Sequence, residues 1–242
     1  MTDSTPQEQL IVAVARLLRG VRHVAVGMSS PIPAAASLLA AELSGGSTRA
    51  SILGSRDEQV WSDTGVEMFD CAAQGRMDAF FLGGGQIDGA GNINLVGIGD
   101  YRHPKVRWSG SFGSPYLYFT VPRVILFREE HTRRVLVPKV DFVSAPGTSP
   151  PGVWRRGGPH ALMTARCQFD FDRDRGGFVL NSIHPGNSLE EVREHTGFAF
   201  VEPPTVGVTP EPDAATLAVL RGKVADRLAD AYPLFVTAAL RR

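Results

Sequence analysis

The densest run of unusual residues in the chain is Gly83-Gly84-Gly85-Gln86-Ile87-Asp88-Gly89-Ala90-Gly91-Asn92-Ile93-Asn94, with five glycines in nine positions. Glycine loses conformational freedom on folding and adds no side-chain packing, so such a run belongs where backbone must approach something closely or turn left-handed. The N–H groups of a loop like this can hold a phosphate, a carboxylate or the oxyanion of a thioester under attack. Gln86, Asp88, Asn92 and Asn94 are spaced through it. An amide can orient a carbonyl without bringing charge, whereas Asp and Asn also commonly close turns; both readings stay open, as does a glycine-rich hairpin with no ligand. A dinucleotide fingerprint is excluded, because Ile93-Asn94-Leu95-Val96 reads as strand rather than helix, and no Gly-Lys-Ser/Thr phosphate loop is present.

A second loop, Ser109-Gly110-Ser111-Phe112-Gly113-Ser114, follows the basic stretch Arg102, His103, Lys105 and Arg107. Guanidinium and ammonium groups beside a backbone nest suit the phosphates of coenzyme A, and a solvated surface is the competing reading. Ser29 and Ser30 lie between a strand and a helix, but Gly27-Met28-Ser29-Ser30-Pro31 has proline where a hydrolase elbow needs its last glycine. Helix capping beside a ligand fits this turn better. The six histidines have no H-x-x-x-H spacing, and Cys71 and Cys167 make no metal or redox motif, so no metal site is expected.

The elements that must position these loops read as α/β. Residues 7–19 carry Leu10, Ile11, Val14, Leu17 and Leu18 at helical spacing, closed by Gly20. His23–Met28 reads as a buried parallel strand, 29–33 as a turn, Ala34–Leu43 as an alanine-rich helix and Arg49–Leu53 as the next strand. Beyond these come a weak helix at Met68–Gln74, strands at Ala79–Leu82, Val121–Phe127 and Arg134–Val137, and a Pro/Gly-rich loop over 144–159. Strand-like CQFDF and FVLNSI segments follow, then one or two helices from Asp213 to Leu240. The expectation is one domain over 1–242 with a largely parallel sheet and flanking helices. Lys plus Arg and Asp plus Glu each number 25, which gives no support to nucleic-acid binding. The polar start MTDSTPQEQ is unlike a signal peptide, and no run approaches the roughly 18 apolar residues of a membrane span. The expected location is the cytoplasm.

Three segments carry a family likeness: VAVGMSSPIPAAASLLA, FFLGGGQIDGAGNINLVGIGDYRHPKVRWSGSFGSP and HPGNSLEEVREHTGF. Together they resemble the β subunits of class I CoA-transferases, the glutaconate type most of all, and imply the NagB/RpiA/CoA-transferase-like fold. The likeness implies an α-type partner subunit in an α2β2 heterotetramer. It also implies an acyl-CoA substrate, with coenzyme A part of that substrate and no separate cofactor. By resemblance, Gly83, Gly84, Gly85 and Gln86 line the thioester. Asp88, Gly91 and Asn92 shape the loop, Ser111 and Gly113 lie near the CoA, and Gly27 and Ser29 form the family's first glycine–proline turn. The transferases carry CoA on a glutamate placed just after the strand that follows the second helix. Here that stretch reads Arg49-Ala50-Ser51-Ile52-Leu53-Gly54-Ser55-Arg56, with Gly54 (or Ser55) at the glutamate's place and Glu58 four residues on. A fold of this kind without that nucleophile resembles the β subunits of the cholesterol ring-cleaving hydrolases of the IpdAB type. In those enzymes water opens a cyclic β-keto acyl-CoA, and the α subunit supplies the acid/base glutamate. A glutaconate-type transferase acting on a dicarboxylic or keto acyl-CoA, with Glu58 as displaced nucleophile, and a non-catalytic supporting subunit are the alternatives.

Overall fold

The computed structural model describes residues 3–62 and 65–241. Met1 and Thr2 of the polar start lie outside the described residues. The chain forms two compact units, Met1–Phe81 with Pro210–Arg242, and Leu82–Thr209.

In the first unit, helix α1 (Pro6–Arg16) starts from a capping box in which the Thr5 hydroxyl accepts the Glu8 N–H and the Glu8 carboxylate accepts the Thr5 N–H. Its Leu10, Ile11 and Val14 are buried, as their spacing predicts. Strand β1 (His23–Val26), helix α2 (Pro31–Leu43) and strand β2 (Arg49–Ile52) make a parallel crossover unit, with His23 opposite Arg49 and Val26 opposite Ile52. Helix α3 (Val66–Ala73) leads to β3 (Ala79–Leu82), which pairs with β1 in parallel, Val24 opposite Ala79. Helix α2 is buried on nearly every face from Ile32 to Leu39, because it packs on α1 and on both strands. It begins at Pro31, three residues before the expected Ala34: a proline at the first helical position needs no N–H partner, so the anticipated turn is the helix's own first turn. The C-terminal segment is a broken run of helical turns: Ala214–Val219 runs through a wider turn at Leu220–Val224 into Ala225–Leu228, and after a break Pro233–Phe235 runs into a second wider turn at Val236–Leu240. Asp213 caps the first of these by accepting the Thr216 N–H.

The second unit opens with two hairpins, β4 (Gln86–Ile87) with β5 (Ile93–Asn94), and β6 (Gly97–Gly99) with β7 (Pro104–Arg107). Helix α4 (Ser114–Thr120) precedes β8 (Arg123–Phe127). The remaining strands are β9 (Pro159–Met163), β10 (Cys167–Asp172), β11 (Gly177–Ile183) and β12 (Gly207–Val208), with helix α5 (Leu189–His195) between the last two. Pairings β8–β9 and β11–β12 are parallel, and β9–β10–β11 are antiparallel. Strand β10 buries alternate residues, Cys167, Phe169 and Phe171; the Phe169 ring lies 6.0 Å from those of Phe178 and Phe198. With β1–β2 and β1–β3 also parallel, the fold is α/β with mostly parallel strands and flanking helices, as expected.

Two expected strands are corrected. The run from Ile93 ends at Asn94, whose side-chain carbonyl accepts the N–H groups of Val96 and Gly97 and turns the chain. Arg134–Val137 is not a strand; Ile87 donates its N–H to Val135 and accepts that of Val137, leaving one isolated bridge. The Pro/Gly-rich loop is confirmed, since no helix or strand lies between Phe127 and Pro159.

Candidate functional site

In the first unit, the C-terminal ends of β1 and β2 carry the turns of interest, the edge where open parallel sheets present their loops to ligands. Gly27, Met28 and Ser29 join β1 to α2; Met28 is 70% exposed, and Ser29 holds φ at +57°. Ser30 occupies the cap position of α2, but its hydroxyl donates to the Met28 carbonyl at 3.2 Å and caps nothing, while its N–H donates to the Tyr232 hydroxyl at 3.1 Å. The expected side-chain cap is therefore absent, and the first turn of α2 relies on its proline.

After β2, Gly54 is exposed with φ +88° and donates its N–H to the Gln59 side chain at 2.9 Å. Ser55 is buried, with its hydroxyl directed at both oxygens of Asp230 at 3.0–3.1 Å. Glu58 receives a two-pronged bond from Arg227 at 2.7 and 2.8 Å, and the same guanidinium donates to Glu42 at 2.7 Å. Both candidates near position 54 are thus committed to the C-terminal segment: Ser55 to Asp230 and Glu58 to Arg227. A carboxylate held in a bidentate guanidinium fork is poorly placed to attack an acyl carbon.

In the second unit, the glycine run folds as a hairpin whose polar side chains face inward to the protein. Gln86 is buried; its carbonyl accepts from Asn94 at 2.7 Å and from the Asp141 N–H at 3.0 Å, and its amide donates to the Asp141 carboxylate at 3.2 Å. Asp88, also buried, accepts from the N–H groups of Ala90, Asn92 and Val140 and from the Asn92 amide. Asn92 in turn accepts the Gly147 N–H at 3.1 Å. The Gly91 carbonyl accepts from the fully buried Tyr118 hydroxyl at 2.7 Å. The structure thus brings Gln86, Asp88 and Asn92 together as the frame of the hairpin, bolted to residues 140–147. That leaves backbone as what the run can offer a ligand. Gly83, directly after β3, is exposed, Gly84 is buried, and Gly85 is half-buried.

Gly85 meets a residue that the sequence pattern does not single out. A Cβ there would lie 2.2–2.5 Å from three ring atoms of Trp108, so the indole sits flat against the glycine and only glycine fits beneath it. Trp108 follows β7, and its N–H donates to the Val96 carbonyl at 3.0 Å. From it runs the second loop: Gly110 at φ +101°, Ser111, Phe112 at φ +45°, and Gly113 as the cap residue of α4, with the Ser114 N–H returning to the Ser111 carbonyl at 2.9 Å. The signal for Trp108 was present as a large aromatic between a basic and a glycine loop; Asp141, 55 residues from Gln86, had none. Arg102, Lys105 and Arg107 are exposed, and Arg107 lies over the Tyr101 ring at 5.3 Å.

Among the described residues, no group of three or more His, Cys, Asp or Glu is placed to hold a metal ion, and no helix is long and apolar enough to cross a membrane. Cys71 and Cys167 are buried free thiols, and burial pushes the Cys167 thiol up to about 12.

Known proteins resemble this chain in sequence and in fold. The chain is 35% identical over 153 residues to a 3-oxoadipate CoA-transferase subunit of Pseudomonas knackmussii, a match that spans 61% of this chain and 58% of that relative's length. It is 28% identical to the cholesterol ring-cleaving hydrolase IpdB subunit of Rhodococcus jostii, over 91% of this chain and 92% of that one. The crystal structure of Rhodococcus jostii IpdAB superposes with a TM-score of 0.82 at 24% identity over the full length of both chains. That of the decarboxylase AibA/AibB superposes with a TM-score of 0.79 at 26% identity, over 99% of this chain and all of that one. The sequence pattern of the coenzyme A transferase family matches residues 8–195, and the chain belongs to that family.

Proposed function

We propose that this chain is the β-type subunit of a two-subunit hydrolase that opens the last ring of a steroid-derived, cyclic β-keto acyl-CoA by adding water across a carbon–carbon bond. The observation that carries this reading is the turn after β2. By the family resemblance the exposed Gly54, at φ +88°, takes the place of the transferases' glutamate, and Glu58, the nearest carboxylate beyond the flanking Asp57, is held by Arg227. Without a nucleophile to accept the acyl group, the thioester stays intact and the reacting partner is water.

The chemistry balances without one. Hydroxide from water, its proton taken by a general base, adds to the ring ketone. The bond from that carbon to the carbon beside the thioester then breaks, leaving a carboxylic acid and a thioester enolate, which takes up the proton. The developing enolate oxygen needs N–H donors rather than a positive side chain, and with the Gly85 N–H donated to the Asn94 carbonyl at 2.9 Å, the backbone of Gly83 and Gly84 is assigned that work. Gln86, Asp88, Gly91 and Asn92 hold the hairpin in shape; by the family resemblance Ser111 and Gly113 are assigned near the CoA, and Gly27 and Ser29 near the substrate. The general base is assigned to an α-type partner in an α2β2 assembly. The carboxylates of Glu58, Asp88 and Asp141 are instead taken up in this chain's own hydrogen bonds. The near full-length match to the ring-cleaving subunit supports the reading, and the decarboxylase relative supports non-transfer chemistry on this fold.

A glutaconate- or oxoadipate-type CoA-transferase is the second reading, favoured by the higher identity to a transferase subunit over the part of the chain that aligns. Hydroxylamine or borohydride trapping of the acyl-CoA-treated complex separates the two. A transferase leaves a modified glutamate on this chain; the hydrolase leaves every carboxylate of this chain unmodified. Detection of a glutamyl adduct on Glu58 would sink the proposal.

A further inference from the structure

At the C-terminal ends of β1 and β2 the two left-handed turns are fixed from one place. Ser29 holds φ +57°, and the residue after it donates its N–H to the Tyr232 hydroxyl at 3.1 Å. Gly54 holds φ +88°, and both residues after it bond to Asp230: Ser55 donates its hydroxyl at 3.0 Å and Arg56 its N–H at 2.7 Å. The two turns are neighbours, since the Met28 methyl lies 3.6 Å from where a Cβ on Gly54 would stand. Asp230 and Tyr232 belong to the break in the C-terminal helical run. Pro233 disfavours helical backbone in the residue before it, and Tyr232 stands at φ −135°, ψ 57°. From this break the two side chains reach turns 174–202 residues earlier in the chain. A left-handed backbone outside glycine is costly and persists only where its surroundings over-determine it. For Ser29 those surroundings include the Ser30 hydroxyl, which donates to the Met28 carbonyl, and the Tyr232 hydroxyl, which accepts the Ser30 N–H.

We infer that Asp230 and Tyr232 are positioning residues, which hold Ser29 and Gly54 in the backbone geometry that the acyl-CoA substrate meets. The inference rests on the proposal that these turns face the substrate. Each residue acts by supplying an acceptor oxygen at a fixed point, not by charge or proton transfer. A replacement that keeps the oxygen therefore keeps the function, whereas a turn misplaced by about 1 Å slows the reaction by about a hundredfold.

The test compares wild type, Tyr232→Phe, Asp230→Ala and Asp230→Asn in the chain assembled with its α-type partner. Hydrogen exchange over residues 27–30 and 53–58 reads the turns, and turnover of 2-oxocyclohexanecarbonyl-CoA reads the consequence. Tyr232→Phe is expected to speed amide exchange at Ser30, and Asp230→Ala at Arg56, by about tenfold. Both are expected to lower kcat by about tenfold to a hundredfold while KM moves less than about threefold. Asp230→Asn, whose amide oxygen still accepts from Ser55 and Arg56, is expected to keep slow exchange and most of the turnover. Where Asp230→Ala does not assemble, Tyr232→Phe, which keeps the ring, carries the comparison. Three results overturn the inference: unchanged exchange at the turns, unchanged kcat per assembled complex despite a lower thermal midpoint, or Asp230→Asn as impaired as Asp230→Ala. Exchange at the turns does not depend on which reaction the complex runs. A wild type that opens no ring but passes CoA to acetate would end the hydrolase reading; the same variants are then compared in that transfer, with the same losses expected.

Discussion

Gly54 and Gly85 are glycine for different reasons, and substitution separates them. A Cβ on Gly54 has room, its nearest neighbour being the Met28 methyl at 3.6 Å, so the obstacle is φ +88° alone. Gly54→Ala is expected to lose about 1 kcal/mol in urea denaturation, the usual penalty for a side chain in that region, with no sign of repacking. At Gly85 the obstacle is the Trp108 ring, 2.2 Å from any Cβ. Gly85→Ala therefore overpacks, with an expected loss of roughly 1–3 kcal/mol as the indole is driven off. Trp108→Ala opens the space, so Gly85→Ala in that background should add little, and the double-mutant cycle should show coupling of about 0.5–3 kcal/mol. Additive losses would mean that the close approach is not what keeps position 85 a glycine. Neither reason is readable from sequence: a glycine run announces that backbone matters, but not whether each member answers to φ, to a neighbour's ring or to a ligand.

Elements are stapled at sites that periodicity does not mark. The buried His131 bridges the residue after β9 and the residue after α5, with Nδ1 2.8 Å from the Thr164 hydroxyl and Nε2 3.0 Å from that of Thr196. Thr196 donates onward to the Val192 carbonyl at 2.7 Å, so Nε2 carries the proton and Nδ1 accepts. Burial, with the nearby Arg166 charge, pulls the imidazole down to about 4. The unfolded chain then binds the proton more readily than the fold. The stabilisation is present in full above the ordinary histidine value and is lost as pH falls from there toward 4. Between about pH 7.5 and about pH 5 this staple should forfeit about 2 kcal/mol. His131→Gln should flatten that part of the stability profile measured by urea denaturation, while an unchanged profile would remove His131 from the account. What the sequence does show at this scale are the continuous apolar strands and the helices between them, because burial on both faces leaves a run such as Ala79–Leu82. It misleads at the segments where side chains replace the ladder: Asn94 ends its strand by taking two backbone N–H groups, and the stretch from Arg134 touches Ile87 without forming a strand. The inward commitment of Gln86 and Asp88 is equally hidden, since Asp141 and Val140 lie more than fifty residues away.

For the molecule as a whole, the decisive property is where coenzyme A ends up. A CoA-transferase must move CoA onto a second acid, so its turnover requires an acceptor and passes through a carboxylate of its own. On the proposed reading, the exposed, left-handed Gly54 after β2 replaces that carboxylate, and the neighbouring Glu58 is held by Arg227. Ring hydrolysis has no such requirement, because the thioester never leaves its carbon. The assembled complex is therefore expected to consume a cyclic β-keto acyl-CoA with no acceptor acid present, to release no free CoA, and to give a product heavier by one water that still carries the thioester. In oxygen-18 water the label should enter the new carboxylate once and the thioester carbonyl not at all, read by mass spectrometry after alkaline release of CoA. Dependence of turnover on acetate or another added acid would instead require a carrier on one of the two subunits. Label at the thioester carbonyl would mean that the acyl–sulfur bond, rather than the ring, is what water breaks.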